Sequence, residues 1–322
     1  MGTVRYRQLG RSGLPVSVVG LGCNNLGRVL DVAAARKVVD AALDEGITLF
    51  DNADIYGSHP GEAEEVLGEV LEGRREDVVV ATKFGLDMRG ANGPDWGARG
   101  SRRYVRRAVE ASLRRLRTSH IDLYQYHEPD GVTPVEETLA ALDELVAEGR
   151  VRYAGSSNFA AWQVAQADHL AGETGTVRFI SAQNAYSLLD RRASTELTDA
   201  AVAYGVGLLP FFPLANGLLT GKYAKDVEPS AGTRIADRKR PLYDNAPWQT
   251  LDRLSAYAAE RGITLLDVAI GGLAAQPAVA SVIAGATSPE QVRANARAGE
   301  WQPSEDDLDA LDEIVPPGVR LI

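Results

Sequence analysis

The chain has little of what marks a secreted, membrane-embedded or nucleic-acid-binding protein. It contains one cysteine, Cys23, which excludes an intrachain disulfide and fits a reducing compartment. Its 34 basic residues are outnumbered by 44 acidic ones, and a net charge of -10 argues against a general nucleic-acid binder. The N-terminus lacks an apolar signal core, and the most apolar stretch, 206–219, is interrupted by Pro210, Pro213 and Gly217. These absences predict a cytoplasmic protein without a membrane partner.

Two common signatures of cofactor sites are also missing. The chain has no His-Glu-x-x-His motif, and one cysteine cannot build a zinc cluster, so no metal site is expected. A Rossmann dinucleotide fingerprint that starts with Gly20 and Gly22 needs its third glycine at position 25, whereas here it falls at Gly27. The sequence therefore does not predict a Rossmann domain.

What the chain does contain is a repeated alternation of short apolar runs and helical patterns. The runs end near Gly22, Asp51, Lys83, His127, Ser157, Gln183, Phe211 and Gly285. Most intervals are about 30 residues, the length of one strand–helix unit. Parallel neighbours need such crossovers, and eight units favour a closed α/β barrel of the (β/α)8 or TIM type over an open sheet. We therefore expect a single domain spanning 1–322.

Local patterns refine this expectation. A β-hairpin formed by 4–8 and 16–19 should cap the bottom of the barrel. Ser101 should be the N-cap of a helix that reaches 117, and the segment 133–136 reads as a capping box with proline at the first helical position. Two long loops, 85–100 and 223–247, are expected at the carboxyl-terminal face, because long loops in compact domains usually carry function.

The ends of three neighbouring strands carry the candidate chemistry. Asp51, Tyr56, Lys83 and His127 place a carboxylate, a phenol, an amine and an imidazole at one barrel mouth. Each residue alone has an ordinary structural explanation, such as capping a turn or ending a strand. Together they suit acid catalysis at a carbonyl oxygen. The ammonium would lower the pKa of the phenol, the carboxylate would hold the ammonium, and the imidazole would orient the substrate.

Beyond these four residues, the order of several motifs resembles the aldo-keto reductase superfamily over nearly the whole chain. The matching segments read FDNADIYG (50–57), ATKF (81–84), DLYQYH (122–127), GSSNF (155–159), GLLTGKY (217–223) and GATSPEQ (285–291). The resemblance implies a catalytic tetrad of Asp51, Tyr56, Lys83 and His127, with Tyr56 as the proton donor. It also implies NADP(H) bound in an extended form across the barrel mouth.

The resemblance further implies a set of cofactor contacts. Ser157, Asn158 and Gln183 occupy the carboxamide-binding positions, and Phe211 occupies the position of an aromatic ring that stacks on the nicotinamide. The other cofactor contacts expected on this basis are Gly22, Cys23, Asn24, Asp51, Phe212, Pro213, Leu214, Ala215, Asn216, Lys222, Arg234, Gly285, Thr287, Gln291 and Asn295.

The chain departs from the family pattern at several of these positions. Phe211 stands where Tyr or Trp is usual, and Phe212 stands where Ser is usual. Some relatives hold the adenosine 2′-phosphate with a Lys and an Arg, where this chain has Gly285 and Gln291. Another branch uses an Arg with Ser or Thr and Gln, a pattern that Arg234, Thr287, Gln291 and Asn295 match. NADP is therefore expected rather than NAD.

The expected reaction is reduction of an aldehyde or ketone by NADPH. Asn24, Tyr56, Trp96 and His127 are expected to line the substrate pocket. Three alternatives stay open: a sugar or alcohol dehydrogenase that works in the oxidative direction, a lyase that uses Lys83 as a Schiff-base nucleophile, and a redox-sensing subunit with little turnover. The sequence predicts a small carbonyl or sugar substrate without identifying it, and it predicts no oligomeric state.

Overall fold

Eight parallel strands form one curled sheet, and an antiparallel hairpin precedes them. The computed structural model describes residues 4–230, 233, 235–236 and 239–322. The hairpin consists of β1 (Tyr6–Gln8) and β2 (Pro15–Ser17). The barrel strands are β3 (Val19–Gly22), β4 (Leu49–Asp51), β5 (Val79–Phe84), β6 (Ile121–Tyr126), β7 (Val151–Ser157), β8 (Phe179–Gln183), β9 (Gly207–Leu208) and β10 (Val282–Gly285).

The two ends of this sheet meet and close the expected (β/α)8 barrel. The sheet runs in the order β10-β3-β4-β5-β6-β7-β8-β9. Leu208 in β9 donates from its backbone N–H to the carbonyl of Ala278 at 2.7 Å and accepts from Ala280 at 2.9 Å. The N–H of Ile283 in β10 donates to the carbonyl of Pro210 at 2.9 Å. These bonds join β9 to the segment that enters β10.

Strand β9 ends earlier than the sequence indicates. The apolar run predicts a strand that reaches Phe211, but the regular ladder stops at Leu208 and Phe211 makes only an isolated bridge to Ala185. Pro210 has no N–H to donate to a ladder, which explains why regular pairing does not continue through it.

Helices cover the outside of the sheet. They span Val32–Asp44, Glu62–Val70, Arg102–Arg115, Val135–Ala147, Ala161–Thr174, Glu196–Tyr204, Arg240–Asp244, Trp248–Glu260, Leu265–Ala274, Pro289–Ala298 and Glu305–Ile314. Short 3-10 turns lie at Arg75–Asp77, Arg192–Ser194 and Ala215–Thr220. Within the described ranges, no helix has the length and apolar character that crossing a membrane requires.

One of the two predicted helix starts is confirmed and the other is wrong. Ser101 caps the helix Arg102–Arg115, and its hydroxyl accepts from the N–H of Tyr104. The helix after Pro134 begins at Val135 without a side-chain cap. The hydroxyl of Thr133 instead donates to Asp130 at 2.7 Å, and the backbone N–H of Thr133 donates to the same carboxylate. Asp130 therefore holds Thr133 in the preceding turn, so its hydroxyl does not cap the helix.

The hairpin closes the bottom of the barrel, as the sequence predicts. Leu9, between the hairpin strands, is fully buried and packs with Leu49, Leu123 and Ile283 from three barrel strands. Gly10 follows with a φ of +57°, where a side chain would be strained. A Cβ there would lie 2.7 Å from the carbonyl oxygen of Gly205 and closer still to that of Ile180. The hairpin tip can approach the strand ends this closely only because residue 10 has no side chain.

We expect Gly10→Ala to lower the free energy of unfolding by at least about 2 kcal/mol, since backbone atoms cannot move aside for the new methyl group. The matched control is Gly73→Ala, at a position with a φ of +77° and nothing within 4 Å. That variant should lose only the cost of the left-handed backbone, about 1 kcal/mol. Urea unfolding measures both values. Equal losses would show that close contact at the hairpin tip has no effect on stability.

Candidate active site

A buried ion pair lies at the centre of the barrel mouth. Lys83, at the end of β5, has no exposed surface, and its Nζ donates to the two carboxylate oxygens of Asp51 at 2.8 and 2.9 Å. A third bond goes to the carbonyl of Asn52 at 2.7 Å. Burial by itself would lower the pKa of Lys83, but Asp51 and Tyr56 together raise that pKa above its ordinary value. The amine is therefore held as an ammonium.

Two glutamine side chains complete the surroundings of Asp51. Gln183, at the end of β8, donates to Asp51 Oδ1 at 2.8 Å, and Gln125 in β6 donates to the same oxygen at 3.5 Å. Ser181 in turn donates to the amide oxygen of Gln125 at 3.3 Å. Gln125 is a residue of this site that the motifs in the sequence do not predict. Gln125 lies two residues before His127, so both side chains face the same side of the strand, toward the inside of the barrel. A polar residue at an inward position of a buried strand is the signal by which the sequence could have indicated Gln125.

Tyr56 lies beside this ion pair. The Nζ of Lys83 is 5.1 Å from the centre of the phenol ring. The ring of His127 meets that of Tyr56 edge to face, with 6.2 Å between their centroids. The carboxylate, amine, phenol and imidazole that the sequence singled out therefore meet at one place.

The pKa of Tyr56 moves in the direction opposite to the sequence-based expectation. Burial raises it most, Lys83 opposes that effect, and Asp51 raises it further, so the net pKa lies above the ordinary value. The expected lowering by the ammonium is present as one contribution and is outweighed. A phenol that keeps its proton at neutral pH is in the protonation state that a proton donor needs.

The imidazole of His127 is held neutral. It is 9% exposed, and burial together with the charge of Lys83 lowers its pKa to about 3. Its Nδ1 is buried and has no hydrogen-bond partner among the described residues. A neutral imidazole has one N–H to donate and one nitrogen that accepts, so it can bind a carbonyl or hydroxyl oxygen without adding a charge.

The three predicted carboxamide positions are contiguous in space. The amide nitrogen of Asn158 donates to the Ser157 hydroxyl at 3.2 Å and to the carbonyl of His127 at 3.0 Å. The backbone N–H of Asn158 donates to the carbonyl of Gln183 at 3.0 Å. These donors and acceptors suit an amide group. They also connect the ends of β7 and β8 with His127.

The segment after β9 has an unusual backbone. Phe212, Ala215 and Asn216 have φ values between 48° and 58°, and Gly217 has a φ of +107°. Non-glycine residues rarely adopt this region, and clusters of them occur at ligand-binding sites. Ala215, Asn216 and Gly217 have positive φ in succession, and the N–H groups of Ala215 and Gly217 donate to the carbonyls of Phe212 and Leu214. The predicted pyrophosphate segment, which also includes Pro213 and Leu214, therefore has a backbone conformation that is typical of functional sites.

Two aromatic rings and one cation adjoin this segment. The rings of Phe211 and Phe212 meet edge to face with 5.1 Å between centroids, and Phe212 is 47% exposed. Lys222 folds back on the loop, since a Cβ on Gly217 would be 3.4 Å from its Cε. The Nζ of Lys222 lies 5.0 Å from the ring of Tyr223. A half-buried Phe211, an exposed Phe212 and a lysine thus flank the strained backbone.

The ends of β3 and β10 meet on the other side of the mouth. A Cβ on Gly285 would lie 3.8 Å from the amide oxygen of Asn24 and 4.0 Å from the carbonyl of Gly22. Cys23 between them is buried, and burial raises the pKa of its thiol, which makes it unreactive. The glycines leave open backbone at this edge.

Of the residues expected at the adenosine end of the cofactor, Thr287, Gln291 and Asn295 lie within the described ranges. The N–H and hydroxyl of Thr287 donate to the amide oxygen of Gln291 at 2.8 and 3.1 Å. Asn295 is 5% exposed, one helical turn further along. Arg234, the cation expected near the 2′-phosphate, lies outside the described residues. It stays a prediction that Thr287 and Gln291 contact this end of the cofactor.

Trp96, one of the predicted substrate residues, is largely exposed and contacts Arg103. It lies in the 85–100 loop with 70% of its surface exposed, and the guanidinium of Arg103 lies 4.5 Å from its ring centre. Asn24 borders the cofactor edge beside Gly285, and Tyr56 and His127 lie together. Trp96 as a substrate contact stays a prediction.

Comparisons with known proteins agree with this geometry. Residues 18–316 match the model of the Aldo/keto reductase family. The chain is 38% identical to the Uncharacterized oxidoreductase YrpG of Bacillus subtilis (strain 168), with 98% of this chain and 97% of the relative aligned. It is 36% identical to a Probable voltage-gated potassium channel subunit beta of Oryza sativa subsp. japonica, with 97% of each aligned. It is 33% identical to the L-glyceraldehyde 3-phosphate reductase of Escherichia coli (strain K12), covering 92% and 88%.

The chain therefore belongs to the aldo/keto reductase family. The matched region includes the barrel strands and the residues around the Lys83–Asp51 pair. Oxidoreductase is the class of enzyme that this membership supports.

The neutral state of His127 predicts a pH dependence of stability. An unfolded histidine has a pKa of about 6.5, whereas the folded protein holds His127 at about 3, so the unfolded chain takes up a proton first as the pH falls. Between these values the free energy of unfolding should drop by about 1.4 kcal/mol per pH unit from this residue. From pH 7 to 5 we expect the wild type to lose about 2 kcal/mol more than His127→Asn, measured by urea unfolding.

The control is His169→Asn, whose side chain is 72% exposed. This variant should follow the wild type at both pH values. Identical pH dependence in the wild type and His127→Asn would contradict a neutral buried imidazole.

Proposed function

We propose that this protein reduces an aldehyde or ketone to an alcohol with NADPH, and that Tyr56 is the general acid. The observation that carries the proposal is the half-buried phenol of Tyr56 beside the buried Lys83–Asp51 pair and the neutral His127. A protonated phenol and a neutral imidazole each have one hydrogen to donate, and a carbonyl oxygen can accept both hydrogen bonds at the same time. NADPH, when bound, supplies the hydride.

Each residue then has a distinct task. His127 and Tyr56 bind and orient the carbonyl oxygen, which polarises the carbon toward hydride. As negative charge develops on that oxygen, Tyr56 gives up its proton and the Lys83 ammonium stabilises the phenolate that forms. Asp51 keeps the lysine charged and fixed through two hydrogen bonds. The reverse sequence of proton movements would serve alcohol or sugar oxidation, so the same site supports a dehydrogenase in the oxidative direction.

The cofactor proposal rests on the donors around the barrel mouth. Ser157, Asn158 and Gln183 would hold the carboxamide, and Phe211 would stack on the nicotinamide. The positive-φ backbone around Asn216, together with Lys222, would hold the pyrophosphate. The other predicted contacts would lie along the same path: Gly22, Cys23, Asn24, Asp51, Phe212, Pro213, Leu214, Ala215, Arg234, Gly285, Thr287, Gln291 and Asn295. We infer NADP rather than NAD from Arg234, Thr287 and Gln291.

A Schiff-base lyase is not supported by the site. A nucleophilic amine must lose its proton, and Lys83 donates three short hydrogen bonds while Asp51 and Tyr56 raise its pKa. An amine held in this way is a poor nucleophile.

A second candidate function is a cofactor-binding redox-sensing subunit with little turnover. The observation that favours it is the 36% identity to a probable potassium channel subunit beta. In either case we infer a cytoplasmic protein that acts on a small carbonyl or sugar substrate. Steady-state turnover of a panel of carbonyl compounds, followed by nicotinamide absorbance with NADPH and with NADH, separates the candidates. Multiple turnovers per second support the reductase, whereas tight NADPH binding with far slower turnover supports the sensor.

We expect Tyr56→Phe to lower kcat by about 100-fold or more, because the phenyl ring has no proton to donate. The dissociation constant of NADPH should stay within about twofold, measured by quenching of intrinsic fluorescence. The matched control is Tyr204→Phe, at a partly exposed position on the helix Glu196–Tyr204. If Tyr56→Phe turns over the substrate as fast as Tyr204→Phe does, Tyr56 is not the general acid.

Cofactor preference provides a separate test. The wild type should bind NADPH more tightly than NADH. Lys222→Ala should weaken both by about tenfold, since the pyrophosphate is common to both and a lost charged contact is worth about 1.4 kcal/mol. Gln291→Ala should reduce only the preference for NADPH. Lys225→Ala, on the same exposed segment, is the control and should change neither constant. A wild type that binds both cofactors equally would contradict the NADP proposal.

A further inference from the structure

Behind the catalytic residues, on the outer side of the sheet, lies a second set of buried polar side chains. Thr82 donates to Glu64 at 2.6 Å, and Glu64 accepts from Arg115 Nε at 2.7 Å. Arg115 also donates to the amide oxygen of Asn92 at 3.2 Å, and the amide nitrogen of Asn92 donates to Asp54 at 3.0 Å. We call this chain of five side chains the buried frame: Thr82, Glu64, Arg115, Asn92 and Asp54.

The buried frame begins and ends beside catalytic residues. Thr82 directly precedes Lys83, and Asp54 is two residues before Tyr56. The backbone N–H of Asp54 donates to the carbonyl of Lys83 at 3.2 Å, which closes the chain into a ring. The side chains of Thr82 and Lys83 point to opposite sides of β5, as strand parity requires, so the frame touches no reacting group.

The helix that supplies Glu64 is itself bonded to the Tyr56 segment. The N–H of Ala63 donates to the carbonyl of Tyr56 at 3.1 Å, and the side chain of Asn52 donates to the carbonyl of Ala63 at 2.9 Å. A shift of Glu64 would therefore be transmitted to the backbone of Tyr56 within one residue.

Glycine at position 61 lets Arg115 reach into this space. A Cβ on Gly61 would stand 2.6 Å from Arg115 Cδ, and the φ of +98° at Gly61 already disfavours a side chain. The guanidinium thus crosses directly over the start of the helix Glu62–Val70 to reach Glu64.

The buried frame contains one ion pair, between Glu64 and Arg115. Burial together with the charge of Glu64 raises the pKa of Asp54 well above its usual range. Thr82, Glu64 and Asp54 have no exposed surface. Asp54 Oδ2 is paired with Asn92, whereas Asp54 Oδ1 has no hydrogen-bond partner among the described residues. The paired groups of the frame fix local geometry, because moving them would leave more buried groups without a partner.

Asn92 brings a distant segment into the buried frame. It belongs to the 85–100 loop, four residues before Trp96, and it is 6% exposed while most of its neighbours are not buried. The loop is thereby tied to the segment that carries Tyr56.

We propose that the buried frame is a positioning unit that holds Lys83 and Tyr56 at their mutual distance and fixes the 85–100 loop to them. The inference rests on the proposed function, in which the Tyr56 hydroxyl needs Lys83 nearby. None of its five members is a catalytic residue, since the frame reaches Lys83 and Tyr56 only through the backbone next to Thr82 and Asp54. The frame sets the position of the Tyr56 hydroxyl relative to Lys83, and it has no part in binding the cofactor.

Two matched pairs of variants test the ends of the frame. Thr82→Val removes the hydroxyl and keeps the shape, whereas Thr82→Ser keeps the hydroxyl and loses a methyl group. Asp54→Leu removes the carboxyl group, whereas Asp54→Asn keeps a neutral polar group of the same shape. We expect Thr82→Val and Asp54→Leu to lower kcat about tenfold, with the KM for the carbonyl and the Kd of NADPH within twofold of wild type. Thr82→Ser and Asp54→Asn should keep kcat within twofold.

The split between kcat and KM distinguishes positioning from general destabilisation. If Thr82→Ser and Thr82→Val lose kcat equally, or if Thr82→Val retains wild-type kcat, the proposal is wrong. Should Asp54→Leu fail to fold, the Thr82 pair decides alone.

A readout without turnover separates this proposal from the proposed function. Asn92→Ala should speed trypsin cleavage at Arg89 and Arg99 within the 85–100 loop at least fivefold over wild type. Ala91→Ser, an exposed change in the same loop, should not. If the wild type turns over no carbonyl compound, the proposed reductase function is wrong. If trypsin cleaves Asn92→Ala at the wild-type rate, the proposed role of the buried frame is wrong, whatever the turnover.

Discussion

The ion pair between Lys83 and Asp51 is the interaction on which the rest of the site depends. A single buried charge would be very costly, and this pair is tolerable because the two charges bind each other and make further hydrogen bonds to neighbouring groups. Asn52, Gln183 and Gln125 supply that surrounding from three different strand ends. The ammonium in turn offers the only nearby positive charge to the phenol of Tyr56 among the described residues. Removing either partner would leave the other as an uncompensated charge in the middle of the barrel.

Strand ends and their chemistry could be predicted because they depend on local periodicity. The spacing of apolar runs located the strand ends at Asp51 and Gln183, and topology alone then brought such ends together. The net pKa shift of Tyr56 could not be predicted, because burial is a property of the packed molecule and it outweighs the neighbouring ammonium. The capping box predicted at 133–136 does not form, because the Asp130 carboxylate accepts hydrogen bonds from the N–H and the hydroxyl of Thr133.

Other features escaped because their parts are far apart in the sequence. The five members of the buried frame come from five separate strands, helices and loops, and no spacing rule connects Asn92 with Arg115 or Glu64. The strained backbone at Phe212 and Asn216 is also invisible in a sequence that puts ordinary residues there. Such conformations cost about 1–3 kcal/mol each and persist only where surrounding structure enforces them. The barrel thus holds the segment in shape before any ligand arrives.

The hairpin at the barrel bottom ties the earliest residues of the chain to the latest. Leu9 packs against Ile283, and Arg5 donates to the carbonyl of Gly299, 294 positions away. During synthesis on a ribosome the hairpin emerges well before β10, so the contact between Leu9 and Ile283 can form only after β10 has left the exit tunnel. Until then Leu9 can pack only against strands made earlier, such as those that carry Leu49 and Leu123. Barrel closure therefore comes late in folding, and part of this apolar surface stays open to chaperones during elongation.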